Sequence, residues 1–306
     1  MSEVERYINA GERENTRRSY RGAVRHFEEE YGGFLPASPD TVSAYLARYA
    51  GSLAINTLLQ RLAALAHWHI EHGFPDPTKA SVVKKVLKGI RTLHSVQERQ
   101  ARPIQIAQVQ QVVSWLDAAI RKASCANNVA ALRSHTRDKA LLLLGFWRGF
   151  RGDELTRLQV QFIQVTPNDG LTCFLPHTKG DRAAQGTTFH APALKTLCPV
   201  EAYMAWINLA ALSDGPVFRA VDRWGHISER GLHINSLVPL LRSLFFAAGL
   251  SSPDEFSGHS LRRGFAAWAT SNGWDLKTLM QYVGWRDAQS AMRYLEISDP
   301  FKELRP

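Results

Sequence analysis

Residues 136–155 read TRDKALLLLGFWRGFRGDEL. The first part, about 136–149, has the spacing of a helix, and its core Ala140–Trp147 is the longest apolar run in the chain. A membrane helix needs about 20 apolar residues, so this run is a candidate for a buried helix and not for a span. The polar box GFRGDEL follows at once and sets Arg151 and Glu154 three residues apart, a helical ion-pair spacing.

Working outward, the pattern predicts a further helix over about 105–123. Residues 171–190, LTCFLPHTKGDRAAQGTTFH, place two short apolar runs around a turn-rich centre, which predicts a β-hairpin. Helical periodicity returns from about 199 and is expected to run to the end. Upstream, SVQERQARPI at 95–104 is polar and ends at a proline and an isoleucine, the signature of a linker. Residues 1–94 read as helices over about 14–31, 39–50, 55–72 and 78–93. The expectation is a mainly α chain: an all-helical domain over 1–94, a linker over 95–104, and an α+β domain with a small sheet or hairpin over 105–306.

The chain has 306 residues, 45% hydrophobic and 21% charged, enough apolar material for a core in each of two domains. Its start, MSEVERY, lacks the character of a secretory signal. Three separated cysteines form no CxxC pair, which fits a reducing cytoplasm. The formal charge of +9 is shared between both predicted domains, as a polyanion gripped by both would require.

Candidate DNA contacts follow from the helical wheels. Thr57, Gln60 and Arg61, with the small Ala64, point away from the apolar stripe of the 55–72 helix and would suit a major groove. Arg18, Arg21 and Arg25 on one helix, and Lys84, Lys85 and Lys88 on another, suit phosphates. A second groove candidate is the helix at about 234–248, with Asn235, Ser236 and Arg242 on its polar side. His67, His69 and His72 share one helix, but no cysteine or carboxylate completes a metal-ligand spacing, so no metal is expected. No phosphate-cradling glycine loop of the GxxxxGK[ST] type is present.

Four separated segments carry reactive side chains: GFRGDEL with Arg151 and Glu154, HTKGD with Lys179, SGHSLRRG with His259 and Arg262, and YVGWRDAQSAMRYLEI with Trp285 and Tyr294. In this order they resemble the tyrosine recombinase (phage integrase) family, and most closely its Cre-like simple members. GFRGDEL is similar to the family's GLRxSEL box, HSLR matches HxLR, and Tyr294 follows Trp285 by the family's nine residues. Asp153 and Phe150 depart from the first box without removing a catalytic group.

The resemblance implies a helical core-binding domain followed by a catalytic domain, and a set of roles. Arg151 and Arg262 would pair with the scissile phosphate, since guanidinium forks stay charged and bind phosphate bidentately. His259 and Trp285 would donate to phosphate oxygens or, for His259, take the tyrosine proton. Lys179 would protonate the leaving oxygen, Tyr294 would be the nucleophile, and Glu154 would hold the arginine box in place. It implies double-stranded DNA with inverted half-sites as partner, a monomer free and a homotetramer on DNA, a Holliday junction between strand exchanges, and no cofactor. A mobile element's integration, excision or resolution is the expected setting. The tail LEISDPFKELRP, interrupted by Pro300, is short for the family's interprotomer clasp. A tyrosine-based topoisomerase, a telomere resolvase and a non-catalytic DNA-binding regulator are the alternatives.

Overall fold

A computed structural model describes residues 14–94, 101–178, 181, 185–292 and 294, with isolated positions 3, 6, 7 and 11 before them. Lys179 and the tail after Tyr294 lie outside the described residues. The chain divides into two compact units, Met1–Arg99 and Gln100–Pro306.

The first unit contains α1 (Glu14–Arg25), a wider π turn at His26–Glu30, α2 (Pro39–Arg48), α3 (Ile55–Glu71) and α4 (Ser81–Leu93). Pro39 occupies the first turn of α2, where its missing N–H costs nothing, and the Ser38 hydroxyl caps Thr41 N at 3.2 Å. Phe27, Tyr45, Leu46, Leu58, Leu62, Leu65, Val83 and Ile90 form the core.

The polar face predicted for α3 is not free. Ala64 is buried, and α1 packs along this side of the helix. Gln60 Nε2 donates to the Ser19 carbonyl at 3.1 Å and its hydroxyl at 2.9 Å. Arg61 and Thr57 are half-buried. An amphipathic wheel assumes one buried face, but α3 is covered on two. His69 is buried as well: its Nε2 accepts from Ala37 N at 2.8 Å, so Nδ1 carries the proton shared with Leu65 O at 2.7 Å. His67 pairs with Glu71 at 3.1 Å and His72 stacks on Trp68, so the three histidines have three separate employments.

The second unit runs α5 (Ile106–Cys125), α6 (Val129–Arg148), α7 (Gly152–Thr156), β1 (Ile163–Thr166), β2 (Gly170–Leu175), β3 (Thr187–Pro192), α8 (Pro199–Ala210), β4 (Arg219–Val221), β5 (Ile227–Gly231), α9 (Ile234–Ala247), α10 (Gly258–Ser271), α11 (Leu276–Val283) and α12 (Ala288–Met292). The chain is mainly α, with small antiparallel sheets. The predicted hairpin is β2–β3, with Cys173 opposite Phe189, and β1 adds a third strand in the order β1-β2-β3.

Helix α6 is the axis of this unit. It starts earlier than its apolar run suggests, because Asn128 caps Ala131 N at 3.0 Å. Every residue from Ala140 to Arg148 is buried, and α5, α8 and α10 pack around it. Residues 101–104 belong to this unit and correct the predicted linker: Ile104 is fully buried and donates to Ser260 O at 3.2 Å, and Arg102 N donates to Glu255 O. An apolar side chain beside a proline buries where it finds a groove, and Gly264 of α10 opens that groove; a Cβ there would strike the Ile104 carbonyl.

Candidate active site

The site grows from three chain reversals. Helix α6 ends at Gly149, whose left-handed φ of 55° turns the backbone out of the helix. Two residues later Arg151 stands extended before α7, and Glu154 reaches back to accept the Arg151 N–H at 2.9 Å. The same carboxylate takes Arg151 Nη1 at 2.6 Å. The box GFRGDEL is thus a capping arrangement whose glutamate also holds the arginine's side chain.

Helix α10 opens with a second cap. The Ser257 hydroxyl accepts from His259 N at 3.1 Å, and Ser260 Oγ accepts from Ser257 N at 2.9 Å. His259 is exposed in the first turn, while Arg262, one turn on, faces inward with no exposed surface. The loop feeding this cap is tied down by Arg242 of α9, which donates to Phe256 O at 2.9 Å and Asp254 O at 2.5 Å. Arg242 therefore holds the approach to α10, where a groove contact was expected.

The third reversal ends α11. Gly284 is left-handed at φ 75°, and Trp285 N returns to Met280 O at 2.9 Å, a Schellman closure that tucks the indole inside. The Tyr294 ring lies 5.1 Å from that indole, centre to centre.

These segments converge. Tyr294 Oη is 3.2 Å from His259 Nδ1. The Arg262 guanidinium carbon lies 4.9 Å from the Trp285 ring and 5.7 Å from the Tyr294 ring. Arg262 Nη1 donates to Gly149 O at 2.7 Å and sits 3.8 Å from Glu154 Oε2. Burial first, and the neighbouring Arg151 cation second, push Arg262 down to about 9, and it is still a cation at neutral pH. Two buried N–H groups, Arg262 Nε and Trp285 Nε1, meet no partner among the described residues. Such orphans recur at Arg61, Arg133 and Arg148 Nε, so it is the place of these two beside the Tyr294 ring that marks them as donors a ligand could use.

A model of the phage integrase family matches residues 110–300. An integrase/recombinase XerD homolog from Selenomonas ruminantium is 30% identical across 98% of this chain and 86% of its own length. This chain is a tyrosine recombinase of the phage integrase family. Recombinase Cre of Escherichia phage P1 is 25% identical over 87% of this chain and 78% of its own. Among solved structures, the Tn1549 transposon integrase in complex with transposon right end DNA has the same fold (TM-score 0.61, 14% identity, 98% of this chain and 95% of that one). XerH bound to palindromic difH substrate does too (TM-score 0.60, 14% identity, 90% and 75%).

In this recombinase Arg151, Glu154, His259, Arg262, Trp285 and Tyr294 meet at one place. Lys179 lies outside the described residues, between β2 and β3 in the sequence. Nearby in the sequence, the buried Asp181 accepts Gly186 N at 2.7 Å and faces Arg286, the residue after Trp285, at 3.7 Å. Arg18, Arg21 and Arg25 stand exposed on α1, and Lys84, Lys85 and Lys88 on α4. Sequence reasoning missed Arg148, Gly149 and Tyr282, whose backbone or side chains brace the site. The apolar letters around Arg148 were the available signal, since a charged residue in such a run is either paired or structural.

Proposed function

We propose that the protein is a site-specific DNA recombinase that breaks and rejoins strands through a covalent 3′-phosphotyrosyl intermediate. The observation that carries this reading is the Tyr294 hydroxyl at 3.2 Å from His259 Nδ1, with its ring over the Arg262 guanidinium. Tyr294 Oη attacks the scissile phosphorus as its proton passes to His259. The P–O5′ bond breaks, and Lys179 supplies the proton to the departing oxygen. Arg151, Arg262 and the orphan Trp285 N–H stabilise the non-bridging oxygens as charge builds on them. Attack of a second strand's 5′-hydroxyl on the phosphotyrosine reverses the step, so bond energy is kept.

Arg262 has no exposed surface in the free protein, with the Tyr294 and Trp285 rings against it. Phosphate entry therefore requires the Tyr294 ring to move off the guanidinium, the same movement that brings Oη to phosphorus. Palindromic half-sites, a homotetramer on DNA and a Holliday junction between exchanges complete the reading. Membership of the family supports them, as does a formal charge of +9. The exposed lysines of α4 and arginines of α1 are the proposed phosphate contacts of the first unit.

The test is a covalent trap. The protein is expressed with the DNA element it acts on, the cells are lysed in denaturant, and protein-bound DNA ends are sequenced beside a Tyr294→Phe control. A tyrosine-dependent adduct at one palindromic locus supports the reading. A tyrosine-dependent adduct scattered over the genome replaces it with a relaxing enzyme. Absence of any adduct, both in cells and on nicked duplexes built from the element's repeats, replaces it with a non-catalytic binder.

A further inference from the structure

One buried cation near the site has no part in the chemistry just described. Arg148, in the last turn of α6, is 2% exposed. Its Nη2 donates to Tyr282 O at 2.5 Å, and the Tyr282 hydroxyl donates back to Trp147 O at 2.9 Å. The guanidinium carbon is 4.0 Å from the Tyr282 ring, 4.9 Å from Phe189 and 5.8 Å from Phe150, so it sits in an aromatic box. No carboxylate pairs with it among the described residues.

Arg262 grips the same two chain ends one residue further along each. It donates to Gly149 O, next to Arg148, and reaches Val283 O, next to Tyr282, at 3.5 Å. The last carbonyls of α11 are thus held by two arginines, one rooted in α6 and one in α10. Arg151 lies two residues beyond Gly149, and Trp285 two beyond Val283.

An unpaired guanidinium in an apolar box is an expensive way to fasten a helix end, and an apolar side chain would pack there at less cost. What it supplies that an apolar residue lacks is a directional bond that fixes the α11 terminus against α6. Sites that act on a phosphate through fixed donors need that register, since small displacements of a donor lose much of its effect.

We propose that Arg148 is a positioning residue for the phosphate site: it locks the end of α11, and hence Trp285 and the Val283 carbonyl that aligns Arg262, in register with Arg151. This rests on the reading of Arg151 and Arg262 as phosphate ligands.

The first measurement needs only the free protein. In Arg148→Met, hydrogen exchange at the Gly284 and Trp285 amides, both bonded to Met280 O, is expected to speed up roughly tenfold, with α5 amides unchanged. Unchanged exchange at the α11 end overturns the proposal.

The second is single-turnover cleavage of a nicked duplex carrying the inverted repeats, with either the natural phosphodiester or a methylphosphonate at the scissile position. A methylphosphonate has no negative charge to neutralise. A positioning role for Arg148→Met predicts a loss on the phosphodiester of roughly ten- to a hundred-fold, shrinking several-fold or more on the methylphosphonate. An equal loss on both substrates, or no loss on either, overturns the proposal. Arg262→Ala is the control for the underlying reading: if its own deficit does not shrink on the methylphosphonate, the phosphate-fork assignment fails, whatever Arg148 does. If Arg148→Met does not fold, Arg148→Lys and Tyr282→Phe take its place. Lysine should restore part of the rate, and Tyr282→Phe should show the same substrate pattern at smaller size. Absence of that pattern in both overturns the proposal.

Discussion

Arg262 Nη1 donates to the carbonyl oxygen of Gly149 at 2.7 Å, joining segments 113 residues apart. That bond turns a cation with no exposed surface into a brace between α10 and the end of α6, and it leaves Arg262 Nε unpartnered. The guanidinium is thus half structural and half available, as expected of a group fixed before its ligand arrives.

Trp285→Phe separates the two uses of the indole. An aromatic ring stays beside Arg262 and Tyr294 and the lost N–H bonds to nothing among the described residues, so the stability cost should be limited to shrinking a buried ring, about 1–2 kcal/mol. Cleavage of a nicked suicide duplex should slow roughly tenfold or more through loss of one donor to the phosphate. An unchanged cleavage rate would remove Trp285 from the proposed chemistry.

Glu154→Gln keeps an acceptor for the Arg151 N–H but leaves Arg151 and Arg262 without their shared counter-charge. The carboxylate is 2% exposed. Denaturant unfolding should show a loss of about 3 kcal/mol, at the low end of what breaking a buried pair costs. Mutual repulsion of the two guanidinium groups should slow cleavage as well.

Gly264→Ala and Gly145→Ala test how tightly α10 is held. A Cβ at 264 meets the Ile104 carbonyl, which is backbone, whereas one at 145 meets the tip of Leu261 at 2.7 Å. The first should destabilise the catalytic unit by about 1–3 kcal/mol, the cost of overpacking, and the second by less. Thermal unfolding of the two variants decides, and the reverse order would contradict the packing of residues 101–104 on α10.

Lys84→Ala and Gln60→Ala should behave differently in salt titrations of DNA binding. Losing an exposed phosphate contact should lower the log–log slope by about 1 across all sequences. Gln60→Ala removes a tie between α3 and α1, so it should lower the stability of the first unit and leave the slope alone. A slope change in Gln60→Ala would return that residue to the DNA surface.

The ordered boxes were legible from the residues. Arg151, Glu154, His259, Arg262, Trp285 and Tyr294 are chemically distinctive types, and their spacing along each segment is local. The hairpin and most helices were legible too, because apolar periodicity survives in single segments. Strands β1, β4 and β5 escaped, the last two inside a stretch read as helical, as three to five residues each carry little periodicity. The α3 face is partly occupied for a physical reason: a wheel reports which residues could be buried together, and α1 buries Ala64 and ties Gln60 to Ser19, a second neighbour that no local pattern reveals.

The sequence by itself determined the mainly α composition, the two-unit order and the chemical types at the site, since each depends on neighbours in the chain. Only the tertiary structure decided that Arg148 braces the end of α11, that Arg242 anchors the approach to α10, and that Ile104 packs beneath α10. Buried polar groups take the partners that three-dimensional packing brings within about 3 Å, and no spacing along the chain records which those are.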